Sequence, residues 1–398
     1  MPDLLPPQRR RSLWPVFVLP VLVVVAALAW SAFWFYAASQ VDQTVDVWRA
    51  REAKAGRIYD CANRSVAGFP FRLEVTCNDA SVTLVSQTAR GSAAPPVTAR
   101  LDKILVVSQI YTPNLLIAEF TAPATLAVRG EPAASMRMNW RTARSSIAGL
   151  PGVPQRIALV FDDPTLDRLD GAMAVPLARA SHVELHGRLI DDAAADRPVI
   201  ETALELADAS IQDVHPLLAR PFDATVQARL SGLKDFSPKP WPDRFRELQA
   251  ADGRIEIEQS RIQQGDLLAI AAGSLGLSPN GRLNGELQMT VAGIETVISA
   301  LGIEKMLEEG VPQATLDRVV PGVKAQDVNN LLGSLDRMIP GLGKVVRQNA
   351  SAGVAAGVNS LGTPAELEGK RARSFPLRFV DGAVFLGPIK VGEIPPLF

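Results

Sequence analysis

The chain has 398 residues, 47% hydrophobic and 21% charged, which is enough apolar sequence for a sizeable core and too much for a disordered polar chain. Lys and Arg number 41 against 42 Asp and Glu, so no global basicity recommends nucleic acid as a partner. Three His and two Cys argue against a multi-ligand zinc or iron-sulfur centre, and no cofactor is expected.

Residues 1–11 form a tail ending in Arg9, Arg10 and Arg11, and from Ser12 to Val41 there is no charged side chain. The apolar run Trp14 to Tyr36 would reach about 35 Å as a helix, enough for a bilayer core of about 30 Å. Trp14 stands at one end, and Trp34 with Tyr36 at the other, where amphipathic rings suit the headgroup level. The three arginines predict a cytoplasmic tail, an anchor over 12–40 and a body on the far side of the membrane. A cleaved signal peptide is the competing reading, with small residues at Ala37-Ala38-Ser39, but the apolar stretch exceeds the usual length of such segments. Val41, Val45 and Trp48 extend the helical spacing through 41–56, with Gly56 as the stop.

Cys61 and Cys77 flank Gly68-Phe69-Pro70, a turn signal before the strand FRLEVTC, in which Phe71, Leu73, Val75 and Cys77 share a face. With the body outside the cytoplasm a disulfide is expected, stabilising by about 3 kcal/mol through loop closure. Two separate buried thiols are the alternative.

Residues 57–293 are predicted to form an antiparallel β-rich body. RLNGELQMTV at 282–291 alternates Leu283, Leu287, Met289 and Val291 with polar residues, and SHVELHGRL, DATVQARL and GRIEIEQ behave similarly. Asp252-Gly253, Gly265-Asp266 and Asn280-Gly281 mark turns too short for crossover helices. His182 and His186 lie four apart in a strand pattern, roughly 13 Å between them, too far to grip one ion directly. His215 has no ligand set nearby in sequence. The adjacent acids Asp162-Asp163 and Asp191-Asp192 are read as turns and solvent contacts.

Residues 294–361 change to helical spacing, with stripes over 294–309 and at Val328, Leu331, Leu332, Leu335 and Met338. Gly341-Leu342-Gly343-Lys344 lacks the spacing and hydroxyl of a phosphate-binding loop. Residues 362–398 return to strand and turn, and Phe375-Pro376-Leu377-Arg378 echoes Phe69-Pro70-Phe71-Arg72, both read as turns opening an apolar strand. The expected class is mainly β with α (α+β): an N-terminal transmembrane helix, then an elongated, curved antiparallel sheet covered in part by C-terminal helices.

VAGFPFRLEV at 66–75, ADGRIEIEQSRIQQGDLLAIAAGSLGLSPNGRLNGELQMTVAG at 251–293 and FPLRFVDGAVFLGPIKVGEIPPL at 375–397 resemble the DUF2125 family of uncharacterised bacterial proteins, found mainly in alphaproteobacteria. The long middle segment is also similar to repeated β units of AsmA-like envelope proteins, associated with lipid movement and outer-membrane homeostasis. The resemblance implies a single-pass inner-membrane protein with its body in the periplasm. It further implies an apolar groove for phospholipid or another amphipathic molecule, lined by Leu283, Leu287, Met289 and Val291. Ordinary packing of those residues against the helices of 294–309 and 327–339 is the competing reading. A scaffold docking another envelope protein is the second function class. No nucleophile and base combination recommends an enzyme.

Overall fold

The computed structural model describes residues 14–85, 96–128, 134–150, 152–171, 173–190, 198–214, 217–233, 241–293, 362–386 and 389–398. Arg9, Arg10, Arg11, His215, Asp191-Asp192, the Gly341–Lys344 stretch and the helical stripes expected at 294–361 lie outside these residues.

The chain opens with helix α1 (Trp14–Lys54) and continues into β1 (Arg57–Ala67), β2 (Arg72–Leu84), β3 (Val97–Gln109) and β4 (Thr112–Val128). Next come β5 (Ala134–Asn139), β6 (Thr142–Ala148), β7 (Arg156–Asp162), β8 (Thr165–Asp170), β9 (Met173–Arg179) and β10 (His182–Ile190). Then follow β11 (Val199–Ile211), β12 (Phe222–Leu230), helix α2 (Trp241–Ala250), β13 (Ile255–Gln264), β14 (Leu267–Leu277) and β15 (Leu283–Ala292). The chain closes with β16 (Thr363–Leu367), β17 (Lys370–Val380), β18 (Ala383–Leu386) and β19 (Ile389–Glu393).

Among the described residues all 19 strands belong to one sheet, and the pairings given by their registers are antiparallel. The register shows that three pairs of short strands are long strands broken once. Thr142 of β6 faces Asp162 of β7, and Asn139 of β5 faces Thr165 of β8, so the alignment runs on across the gap. The same holds for β7/β8 against β9/β10, and for β9/β10 against β11.

The breaks lie at one level: Asp79 in β2, the irregularity at Leu101/Lys103 in β3, Trp140-Arg141, Asp163-Pro164, Ala180-Ser181, and Asp208 in β11. They form a transverse crease. Asp79, Asp163 and Asp208 have φ of 53°, 50° and 49°, a region that Asp tolerates better than most residues, and Pro164 cannot donate to a ladder. Side chains supply bonds that the broken ladder lacks: Trp140 Nε1 donates to Phe120 O at 2.9 Å, and Arg141 reaches Asp163 at 2.7 Å.

Helix α1 covers the edge strand. Its buried or half-buried positions Trp30, Trp34, Val41, Val45, Arg49 and Glu52 recur at helical spacing, and ion pairs join it to β1: Arg64 to Asp42 at 2.8 Å and to Asp46 at 2.9 Å, Arg49 to Asp60 at 2.9 Å. The helix continues without a break from the apolar run to Lys54, ending before Gly56. An edge strand presents a row of unpaired backbone groups, and a helix laid along it is a recognised protection. Arg49 Nε indeed donates to Tyr59 O at 2.9 Å.

Helix α2 interrupts the 57–293 body, where the alternation predicts strands. Its apolar Trp241, Phe245 and Leu248 have helical spacing, with Pro242 in the first turn. Leu248 packs with Ile200 and Leu233 in a buried cluster that also holds Leu230, Phe245 and Leu277. Among the described residues it is the only helix besides α1, and it precedes β13 rather than following the sheet.

Candidate functional site

Cross-strand partners share a face, so the register can be followed from strand to strand. One row starts Val66, Val75, Val106, Ala118, Ser145, Leu159 in β1 to β7. It continues Leu185, Leu204, Val226, Ser260, Ala271, Met289 and Phe375 in β10 to β17. No member is charged. Thirteen strands at about 4.8 Å spacing give this row a length of roughly 58 Å. The row on the opposite face reads Glu119, Arg144, Val160, Glu184, Glu205 and Thr225, then Arg261, Ile270, Thr290 and Ser374. Along this line the sheet is uncharged on one side and carries charges on the other across most of its width, while Arg64 and Arg373 sit two residues along from the row's ends on its own side.

The charged side is laced by ion pairs. Glu119 meets Arg144 at 3.1 Å, Glu201 binds Arg188 and Arg229, and Arg229 also meets Glu258 at 2.9 Å. Pairs this exposed are worth little to stability, but they keep this face wet. His182 and His186 both reach Glu184, at 3.3 and 2.5 Å, rather than converging on a common centre. His182 Nδ1 also lies 2.9 Å from Asp162, which accepts from Thr142. Hydrogen bonds to Asp162 and then Glu184 hold the His182 imidazole above its ordinary pKa, while Thr142 and His182 hold the Asp162 carboxyl below the ordinary carboxylate range. The adjacent acids at 162 and 163 thus serve the crease.

The uncharged side is not covered evenly. In its middle, Leu159, Val183 and Leu204 are half-buried, Ile157 keeps 40% of its surface exposed and Leu185 keeps 42%. Further along, Leu287 and Val291 are buried, Leu283 and Met289 half-buried, and the neighbouring Phe375 and Phe379 are buried. Phe375 lies inside β17, its ring 2.5 Å from where a Cβ on Gly362 would fall; it does not open the strand as a turn residue. Only the Phe69-Pro70 turn fits that expectation, because it lies between β1 and β2. Gly273 and Gly285 let β14 and β15 approach closely here: a Cβ at either would fall 2.2 Å from a carbonyl oxygen of the partner strand, at φ of 149° and 145°. Leu283 lines a cavity of about 30 Å³ with Leu230, Phe245, Leu248 and Leu397, under α2. That space is comparable to one water and far below an acyl chain.

At the other end of the row, Cys61 and Cys77 form a disulfide with a Cα separation of 5.7 Å. It ties β1 to β2 beside the crease, where Cys61 is partnered with Ala80 and Cys77 with Arg64. The row begins a few residues from the β1–β2 turn, whose carbonyls accept the indoles of α1: Trp30 Nε1 to Pro70 O at 2.8 Å and Trp34 Nε1 to Arg72 O at 2.9 Å.

Within Phe17–Lys54 of α1 lies an 18-residue stretch apolar enough to cross a membrane, and that stretch is almost entirely unburied by the rest of the chain. An apolar helix that docks only its C-terminal part onto a broad sheet defines a class, a large antiparallel β-sheet protein with one candidate membrane span among the described residues, consistent with membrane association. More particularly, a family model for an uncharacterised protein conserved in bacteria, DUF2125, matches residues 34–395, and the chain belongs to that family. No curated protein matches the chain.

Proposed function

We propose that this is a non-enzymatic, single-pass protein of the bacterial inner membrane. Its tail carrying Arg9, Arg10 and Arg11 is cytoplasmic, and its periplasmic sheet holds or passes phospholipid or another amphipathic molecule along its uncharged face. The carrying observation is the uncharged row from Val66 to Phe375, which begins beside the anchor and is least covered around Leu185. Apolar sheet faces ordinarily pack against a second layer, and here the described residues contribute only α2 at one margin. Acyl chains would take that place while head groups stayed in water, and the row's roughly 58 Å exceeds the depth of one leaflet, about half of a 30 Å core. The disulfide suits an oxidising compartment.

The test places a photoreactive benzophenone amino acid at Leu185 in the full chain within native membranes. Irradiation followed by mass spectrometry should yield a phospholipid adduct. A link to residues 294–361 instead, or no adduct in folded protein, would overturn the lipid reading. Leu185→Asp should lower co-purifying lipid without changing the unfolding transition.

A further inference from the structure

The turn between β1 and β2 carries two exposed aromatic rings, Phe69 at 52% and Phe71 at 61% exposure, in the uncharged stretch Val66-Ala67-Gly68-Phe69-Pro70-Phe71. It is fixed to α1 by ring contacts as well as by the indole hydrogen bonds. The Phe69 ring stands edge-on to Trp34 at 5.5 Å and stacks on Phe35 at 5.9 Å, and Phe71 lies 6.4 Å from Trp30.

The depth of this turn follows from the helix rise. Trp14 and Trp34 are twenty residues apart, about 30 Å along the axis, which matches the hydrocarbon thickness of a bilayer. Trp30 then sits about 6 Å inside the outer boundary, and its indole touches the carbonyl of Pro70. A turn at that depth has to satisfy its own backbone, because hydrocarbon offers no hydrogen bonds. Four of its carbonyls have donors. The carbonyls of Gly68, Pro70, Phe71 and Arg72 accept from Arg72 N–H, Trp30, Ile110 N–H and Trp34 respectively, and Pro70 has no N–H to place. Tyr111, 68% exposed, lies in the adjoining β3–β4 turn and adds an aromatic ring at the same margin. The first charge after the turn, Arg72, is already paired with Glu74 at 2.5 Å.

We infer that the Phe69-Pro70-Phe71 turn is a second membrane contact, a wedge that enters the outer-facing leaflet beside α1, with the uncharged row starting a few residues beyond it. The inference rests on the anchor reading of α1. The ligand is the bilayer itself: exposed Phe rings beside carbonyls that already have donors suit the headgroup and acyl boundary, whereas a protein partner would have to compete with lipid for rings already held against the span.

The test uses the full chain in vesicles of phosphatidylethanolamine and phosphatidylglycerol, with a genetically encoded fluorescent amino acid placed singly at Phe69, Phe71, Leu22 or Ile58. Quenching is by phospholipid brominated near the top of the acyl chain or deep within it, and nonreducing peptide mapping of Cys61–Cys77 confirms that each variant is folded. Leu22 lies in the span and should be quenched by the deep label, whereas Ile58, at the far end of β1, should not respond. The inference expects both 69 and 71 to lose about half their emission or more with the shallow label. Quenching at Leu22 without quenching at 69 and 71 would overturn the wedge and leave the anchor standing. Quenching at 71 alone would place lipid at the end of the sheet face and not the turn in the bilayer, again overturning the wedge. Absence of quenching at Leu22 would remove the anchor and the wedge together.

Discussion

The middle of the sheet and its C-terminal part carry the same alternation on the same face, yet Leu185 is open and Leu287, two residues before the row position Met289, is buried. Alternation records which side of a strand is apolar. It does not record whether another layer lies on that side. Around β14, β15 and β17 the face is closed by close strand approach at Gly273 and Gly285 and by large rings such as Phe375 and Phe379, while α2 closes the margin over β11 to β15. From β7 to β10 no helix covers the face among the described residues, and Ile157 and Leu185 stay exposed there.

The sharpest way to break this contrast is to truncate one residue from each part. Phe375→Ala should cost about 3–5 kcal/mol, since a fully buried ring leaves a cavity that a sheet cannot collapse. Urea unfolding of the detergent-solubilised chain would read it. A loss equal to that of Leu185→Ala would mean the two regions do not differ. The disulfide adds a third point of comparison, because it pins the N-terminal strands without apolar burial. Replacing Cys61 and Cys77 together by Ala should cost about 2–4 kcal/mol, and unfolding of the oxidised chain should respond to reductant while the double variant should not.

Leu185→Ala should change stability by about 1 kcal/mol or less, because much of the side chain is already in water. The smallest effect belongs to the charged face. His182 has its pKa raised by Asp162 and Glu184, so its contribution is complete below about pH 6.5 and is lost as pH rises through the raised value. Asp162 and Glu184 have theirs lowered, so their contribution is present above the ordinary carboxylate range and is lost as pH falls through the lowered values. The network is thus strongest in mildly acid solution. Its ring is partly exposed, so the effect is screened, and the thermal midpoint should fall only slightly between about pH 6 and pH 9. His182→Gln should flatten that slope; an unchanged slope would remove the imidazole from the account.

Much of the fold could be read from the sequence where local chemistry decides it. The segments around 182–190, 222–230, 255–264 and 283–292 are strands, and Gly265-Asp266 and Asn280-Gly281 lie between β13 and β14 and between β14 and β15. The helical extension past Val41 follows directly from the spacing of Val41, Val45 and Trp48. Helix α2 was overlooked although Trp241, Phe245 and Leu248 repeat at helical spacing, since ten residues make a weak signal beside so many strands. The uncharged row itself was not legible. Each strand contributes one residue to it, and only the register reveals that thirteen separate alternations fall into line. The two FPxR occurrences make the same point at smaller scale: identical local chemistry leaves Phe69 in an open turn and Phe375 in the interior, because the strands on either side differ.

The nearly sequential strand order also governs how such a chain assembles as it is made. From β1 to β4 each strand's partner is the one made just before it, and from β10 to β15 the same is true. A chain emerging N-terminus first therefore extends its sheet one edge at a time, with loop-closure costs kept small. The first edge is already shielded by α1, so only the growing side is exposed to wrong partners. The exception is β15, whose residue Ala292 pairs with Ala372 of β17, across the whole of 294–361. That junction is where growth pauses, with an apolar strand waiting for its neighbour. A translation-arrest series should show the longest interval between successive protease-resistant lengths there, and an interval no longer than those between earlier strands would refute the one-edge order.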